Sequence, residues 1–377
     1  MTDTPTAIVG HDSTTGSPVG IDLSAKAGPP VVLLTGTIGS GKTVALERLG
    51  WEAARAGSLV VNVAPLDLGF DGEAVIDLND PEALPGVLDP MRVAHAAVRE
   101  EVTVAFLLTL LRPVSAGWEV AISRAVRDAV ARPGGDLATV LDALRASRAP
   151  EGRQAADALG VHGDYGLGRF AFPALAQRTH GLARLWRRAG TRRPPEPPAV
   201  TAVRDHDLDQ PITTIRVGGH GLGRLPDYWP PTADLSANER ASVATKLLLA
   251  AYALRLAAST PRHTLLLFDD PASAIVHFTN GRQVFACLAR LARSMNTTIA
   301  LATLRPEPAV GLAGVIGTHL AFGQDTAAGA RQAADLLNAE EEWVDPLRRY
   351  RDGWCLMREP DGEIVELRVA MDSDQVA

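Results

Sequence analysis

Gly36-Thr37-Ile38-Gly39-Ser40-Gly41-Lys42-Thr43 follows directly on the apolar run Val31-Val32-Leu33-Leu34. The octet matches G-x-x-x-x-G-K-[ST], the Walker A phosphate-binding pattern. The apolar run reads as a buried strand, and Val44-Ala45-Leu46-Glu47-Arg48-Leu49 opens a helix, so the glycines sit in a strand-to-helix turn. Without Cβ atoms in the way, their backbone N–H groups can point inward at a phosphate. The helix N-terminus adds partial positive charge at the same spot. Gly36, Thr37, Ile38, Gly39, Ser40, Gly41, Lys42, Thr43 and Val44 are therefore the expected nucleotide cradle. Lys42 is expected to reach the β- and γ-phosphates, and the Thr43 hydroxyl to ligate Mg²⁺. Lys42 is one of only three lysines, with Lys26 and Lys246. The expected ligands are a nucleoside triphosphate and Mg²⁺.

Composition narrows the class. The 377 residues carry 46% hydrophobic and 21% charged residues, the balance of a globular protein with ample core. No uninterrupted apolar stretch reaches membrane-spanning length, and Val102–Leu111 reads as a buried helix. Met1-Thr2-Asp3-Thr4-Pro5 lacks the layout of a signal peptide. Cys287 and Cys355 lie far apart in apolar segments and read as free thiols, which fits a reducing cytoplasm. The net charge of −7 argues against a surface that tracks nucleic acid throughout, while leaving room for a local basic loop.

Along the chain, residues 1–29 are rich in Thr, Ser, Gly and Pro and read as a flexible or edge-hugging lead-in. Strands are expected at Leu59–Val63, Ala74–Leu78, Ile212–Val217, Thr264–Phe268, Thr298–Ala302 and Thr318–Phe322. Helices are expected at Ala237–Ala258 and Gly281–Ser294, and a hairpin from Gly353–Arg358 and Ile364–Val369. Residues 91–188 change character: helical spacing dominates, as in the stripe Leu137, Val140, Leu141 and Leu144. The division expected is an α/β nucleotide-binding domain from 30–90 and 199–377, an inserted all-helical subdomain at 91–188, and a proline-rich linker at 189–198. The alternation of strand and helix implies a mostly parallel sheet covered on both faces.

A phosphate loop needs a carboxylate facing it across the metal. Leu265-Leu266-Leu267-Phe268-Asp269-Asp270 is a buried strand ending in acid, at the sheet edge where open α/β folds place ligands. Asp269 is the expected Mg²⁺-holding aspartate, and Asp270 stands where a water-orienting acid would stand. The nine histidines show no metal spacing, so no other metal is expected.

At this point the chain resembles a known superfamily. Ala292-Arg293 through Ala302-Thr303-Leu304-Arg305-Pro306 is similar to the segment after Walker B in HerA–FtsK-type motor ATPases. Gly86-Val87-Leu88-Asp89-Pro90 is similar to the Leu-Asn/Asp-Pro turn of the VirB-four-like conjugation and type IV secretion branch, as are the helical insertion and the C-terminal hairpin. The resemblance covers roughly residues 30–370 and implies a RecA-like P-loop NTPase that hydrolyses ATP. It implies a ring, taken as a hexamer, docked on a membrane secretion or conjugation machine from the cytoplasmic side. It also implies that Arg293 is an arginine finger reaching a neighbour's γ-phosphate, with Arg305 as a second candidate.

Some positions depart from the pattern. Asp269-Asp270 stands for the usual Asp-Glu, Leu304 for a sensor glutamine, and Ala64-Pro65-Leu66-Asp67 lacks the acidic turn after the second strand. The branch's long N-terminal domain is not matched. Two alternatives follow. One is a DNA translocase or coupling ATPase with the same core, in which Arg187, Arg188, Arg192 and Arg193 would contact nucleic acid. The other is a nucleotide-binding assembly switch with little hydrolysis.

Overall fold

The computed structural model describes residues 6–24, 28–64, 68–69, 71–79, 85–111, 114–164, 166–172, 208–216, 234–269, 274–358 and 362–369. Asp270, the arginines at 187–193, the linker at 189–198 and the turn residues Leu66 and Asp67 lie outside them.

In chain order the elements begin β1 (Thr6–Asp12), β2 (Pro18–Asp22), β3 (Val31–Thr35), α1 (Lys42–Arg55), β4 (Leu59–Ala64) and β5 (Ala74–Asp77). Helices follow: α2 (Pro90–Val93), α3 (Arg99–Leu110), α4 (Ala116–Val130), α5 (Leu137–Arg145) and α6 (Pro150–Asp164). Then come β6 (Ile212–Arg216), α7 (Ala237–Ala258), β7 (Thr264–Phe268), α8 (Thr279–Ser294), β8 (Thr297–Thr303), α9 (Glu307–Val310) and β9 (Ile316–Phe322). The chain ends in α10 (Ala327–Leu337), α11 (Val344–Arg349), β10 (Trp354–Arg358) and β11 (Ile364–Arg368).

The strands form one 11-stranded sheet in the order β2-β1-β11-β10-β9-β3-β8-β7-β4-β6-β5. Its centre, β9-β3-β8-β7-β4, is parallel throughout. Strands buried on both faces must be apolar at nearly every position. Every residue of β3, β7 and β8 is indeed buried. Beyond β9 the sheet continues antiparallel through β10, β11, β1 and β2. Alternate residues of successive strands, Val32 and Leu34, Leu265 and Leu267, Ala300 and Ala302, share one apolar cluster with Leu46, Leu49 and Ala53 of α1. Ala321 and Leu356 point to the other face, where Ala330, Ala334 and Leu337 of α10 and Leu347 of α11 cover them.

Over residues 6–22 the lead-in is the edge hairpin β1–β2, an element the sequence did not disclose. Its signal is thin: Ala7, Val9, Val19 and Ile21 bury into the α1 cluster at alternate positions, but Ile8 between the first two blurs the pattern.

By contact the chain divides into two units. The first holds the sheet and comprises Met1–Val75, Leu208–Ile215 and Leu256–Ala377; the second comprises Ile76–Asp207 and Arg216–Arg255. Apart from the ends of β5 and β6, the regular elements described in the second unit are helices, and most of α7 falls within it, a grouping absent from the division drawn at 90/91 and 188/199. The stripe Leu137, Val140, Leu141 and Leu144 is buried on α5 as its spacing requires. α7 is long and apolar enough to cross a bilayer, yet 89% of its most apolar window is buried inside the protein.

Asp89 shows why the Leu-Asp-Pro turn is built as it is. It caps α2, with Pro90 at the first helical position, and its Oδ1 accepts from Met91 N at 2.9 Å. Its Oδ2 accepts from Leu137 N at 3.1 Å, so one carboxylate closes the N-termini of two helices. Burial raises its carboxyl to about 6, against the pull of these two N–H groups and of Arg92. Asp89→Ala leaves two buried N–H groups unpaired while relieving a buried charge. The expected net loss is about 2 kcal/mol, read as a lower urea midpoint for the helical unit.

Candidate functional site

The phosphate loop runs from the C-terminal end of β3 into the first turn of α1, and both flanking strands pin it. Gly36 N donates to Thr303 O at the end of β8 (3.3 Å), and Thr37 N donates to Gly323 O just past β9 (2.9 Å). Ser40 O accepts from Gly353 N at 2.9 Å, which ties the start of β10 to the same loop. Two glycines are sterically required. A Cβ on Gly36 would lie 2.6 Å from Phe322 Cβ and 2.7 Å from Ser40 Oγ. Gly41 has φ 105°, and a Cβ there would lie 2.9 Å from Gly353 N.

The loop is shaped for an anion. α1 has no side-chain N-cap and no acidic residue in its first turn, so neither competes for its leading N–H groups. Beside them Ser40 Oγ is buried and, among the described residues, has no hydrogen-bond partner, a gap that phosphate oxygens would fill. Lys42 is 4% exposed, and its Nζ donates to Gly36 O and Thr37 O, both at 2.9 Å. Ile38, at the loop's tip, is 85% exposed.

Thr43 Oγ1 donates to Asp269 Oδ2 at 3.1 Å. The hydroxyl comes from the second residue of α1 and the carboxylate from the residue after β7, so two distant segments meet beside the loop. A hydroxyl and a carboxylate are hard oxygen donors that fit Mg²⁺. One helical turn beyond Thr43, Glu47 adds to the negative field. Burial first, then the charge of Asp269, raises its carboxyl above the ordinary range. The sequence reading passed over Glu47, although its i+4 spacing from Thr43 puts both on one helix face. Among the described residues no group of three or more His, Cys, Asp and Glu could hold another metal ion.

Behind the loop a buried polar chain supports its root. His319 Nε2 lies 2.8 Å from Thr35 Oγ1, and Gln324 Nε2 donates to Phe322 O at 3.1 Å and to Thr35 Oγ1 at 3.5 Å. Burial pulls the His319 imidazole down to about 3, so it is a neutral partner at all working pH values. These residues share no sequence pattern, since only the pairing of β3 with β9 brings them together.

The arginines stand apart from each other. β3 and β8 run parallel, with Thr35 opposite Thr303, so the loop and Arg305 share the C-terminal edge of the sheet. Arg293 ends α8, ahead of β8, and is exposed at the opposite edge. Within one chain Arg293 is thus not brought to Lys42. Leu304 is half-buried and Arg305 exposed.

Fold and site together define the class: an α/β protein of RecA-like P-loop ATPase architecture. No family model matches the sequence, and no curated protein matches it either. Solved structures do match. VirB4 of Thermoanaerobacter pseudethanolicus is similar over 98% of this chain and 97% of its own, with 14% identity and a TM-score of 0.71. The bacterial conjugative coupling protein TrwB, in a form complexed with sulphate, is similar over 97% of this chain and 93% of its own, at 12% identity and TM-score 0.55. Plasmid coupling protein TrwB in complex with ADP and Mg²⁺ is similar over 96% and 88%, at 12% identity and TM-score 0.53. At such identities the likeness establishes the fold alone.

Proposed function

We propose that this chain binds ATP with Mg²⁺ and hydrolyses it as a motor subunit of a conjugation or type IV-like secretion machine. The observation that carries the reading is the hydrogen bond from Thr43 Oγ1 to Asp269 Oδ2 at 3.1 Å, beside a glycine loop with a buried lysine. The amides of Gly36–Gly41 hold the phosphates, and Lys42 exchanges the Gly36 and Thr37 carbonyls for phosphate oxygens. Thr43 and Asp269 hold the metal ion. When bound, Mg²⁺ supplies neutralisation of charge on the transferring phosphoryl group. Asp270 orients the attacking water. Arg293 completes a neighbour's site in a ring, taken as a hexamer, which fits its exposed position at the far sheet edge. The ring works at the cytoplasmic face of a membrane complex. That TrwB is known in complex with ADP and Mg²⁺ supports the choice of ligands.

A second reading is a nucleotide-occupied switch with little turnover. Leu304 favours it, because a half-buried apolar side chain cannot hydrogen-bond a phosphate or water where the superfamily has glutamine. Steady-state phosphate release against protein concentration separates the two. The motor reading expects specific activity to rise with concentration, and Arg293→Ala to stay at the low-concentration rate. Tight ATP binding by the wild type without turnover would sink it and leave the switch. Steep DNA stimulation that salt abolishes would instead favour a DNA translocase.

A further inference from the structure

Among the buried residues of β3 and β9, only Thr35 and His319 are polar. The two meet at 2.8 Å, and Gln324, just past β9, donates to the same Thr35 hydroxyl at 3.5 Å. None of the three is more than 4% exposed. His319 Nδ1 is buried and, among the described residues, has no hydrogen-bond partner. We propose that Thr35, His319 and Gln324 are positioning residues for phosphoryl transfer, which set the direction in which the phosphate loop leaves β3. The inference rests on the reading of the chain as an ATP hydrolase and extends it to side chains that touch no ligand.

Place in the fold is the first argument. Thr35 is the last residue of β3, so the chain leaves the sheet for the loop directly after it. Its neighbour Leu34 belongs to the α1 cluster, and side chains alternate along a strand, so Thr35 faces away from α1. It shares that face with Ala321, its partner in the β3–β9 register, where α10 and α11 pack. Gln324 reaches both helices. Its backbone N donates to Leu347 O of α11 at 2.9 Å, and its Oε1 lies against the first turn of α10 at Gly329. The backbone bonds of Gly36 and Thr37 tie the loop to the neighbouring strands. The three side chains add a bolt from the loop's exit point to the helices behind the sheet.

The second argument is energetic. Replacing both partners of a buried hydrogen bond by apolar groups of similar shape is nearly neutral or even stabilising. An orphaned ring nitrogen in a sheet core is a further cost. Folding alone therefore does not call for this polar trio, and a local rule broken one residue before the loop points to a demand of the site. Transfer supplies that demand, because a misplacement of about 1 Å at a distance from the chemistry can cost about 100-fold in rate. Nucleotide affinity draws on the loop amides, Lys42 and the metal ion, which the trio leaves in place. Its loss should thus fall on kcat rather than on binding.

The test is the double variant Thr35→Val/His319→Leu of the full chain, in which both partners become apolar at nearly constant shape. Thermal unfolding is expected no earlier than in the wild type. Calorimetric affinity for Mg-ATP should stay within about twofold while kcat for phosphate release, per folded molecule, falls about tenfold. Thr35→Ser keeps the hydroxyl and should recover most of that loss, and Gln324→Met should lower kcat in the same direction. An unchanged kcat in the double variant, or a loss confined to Mg-ATP affinity, overturns the proposal. Failure of Thr35→Ser to recover kcat does so too, since the effect then lies in packing and not in the hydroxyl. A wild type that binds no Mg-ATP or releases no phosphate sinks the hydrolase reading, and the positioning role with it. An active wild type matched by an equally active double variant removes the positioning role alone.

Discussion

Lys42→Ala is expected to lower steady-state phosphate release by about 100-fold or more, while thermal unfolding of the empty protein barely moves. The lysine is buried, but its Nζ donates to the carbonyls of Gly36 and Thr37, which belong to the loop itself. Removing the side chain frees loop acceptors at a site built to meet a solvated ligand, so folding loses little. The bound state loses far more. A fixed positive charge beside the β- and γ-phosphates acts on the charge that develops during transfer, and no other lysine lies near the loop in sequence. Lys42→Arg should fail as well, because the planar guanidinium does not fit a cavity that now holds a slim ammonium. Activity retained in Lys42→Ala would place the chemistry elsewhere, whatever the fold.

Strand β3, the loop and α1 were legible because each carries an unambiguous local signal. A run of buried apolar residues cannot be a surface loop, and Gly39 and Gly41 adopt positive φ angles that side chains resist. The same logic located α7 to its end residues and β7 exactly, where Thr264-Leu265-Leu266-Leu267-Phe268 is apolar enough to be buried on both faces. Asp269 followed from β7, since a carboxylate after such a strand arrives at the ligand edge. Thr43 and Asp269 are 226 positions apart, and only the crossover of a parallel sheet joins them.

What stayed hidden depends on tertiary pairing. The β1–β2 hairpin carries four apolar core residues among Thr, Ser, Gly and Pro, too few for a pattern that composition does not drown. The Thr35–His319–Gln324 chain exists only because β9 pairs with β3. Asp89 was visible as part of a familiar turn, but its closure of a second helix at Leu137 was not. Arg293 was placed by resemblance alone, and its position at the far edge of the sheet makes the neighbouring subunit essential to any role in catalysis.

Lys246→Met is expected to stabilise the protein by about 4 kcal/mol at pH 7. Lys246 sits on α7 with 1% exposure, and among the described residues its buried Nζ has no hydrogen-bond partner. The contrast with Lys42 is instructive: both are buried, yet one ammonium donates to two carbonyls and the other, among the described residues, to none. Burial pulls Lys246 down to about 7 from 10.5. A depressed amine favours folding fully above its unfolded value and loses that contribution as pH falls through its folded value. The wild type should therefore gain stability between pH 7 and 10.5, a slope that Lys246→Met removes. Methionine matches the length of the stem, so no large cavity confounds the comparison, as it would with alanine. Urea unfolding at pH 7, 8.5 and 10 measures the effect, with the gain shrinking as pH rises. A loss of stability at pH 7 would mean that the ammonium has a partner and holds the helical unit together through it.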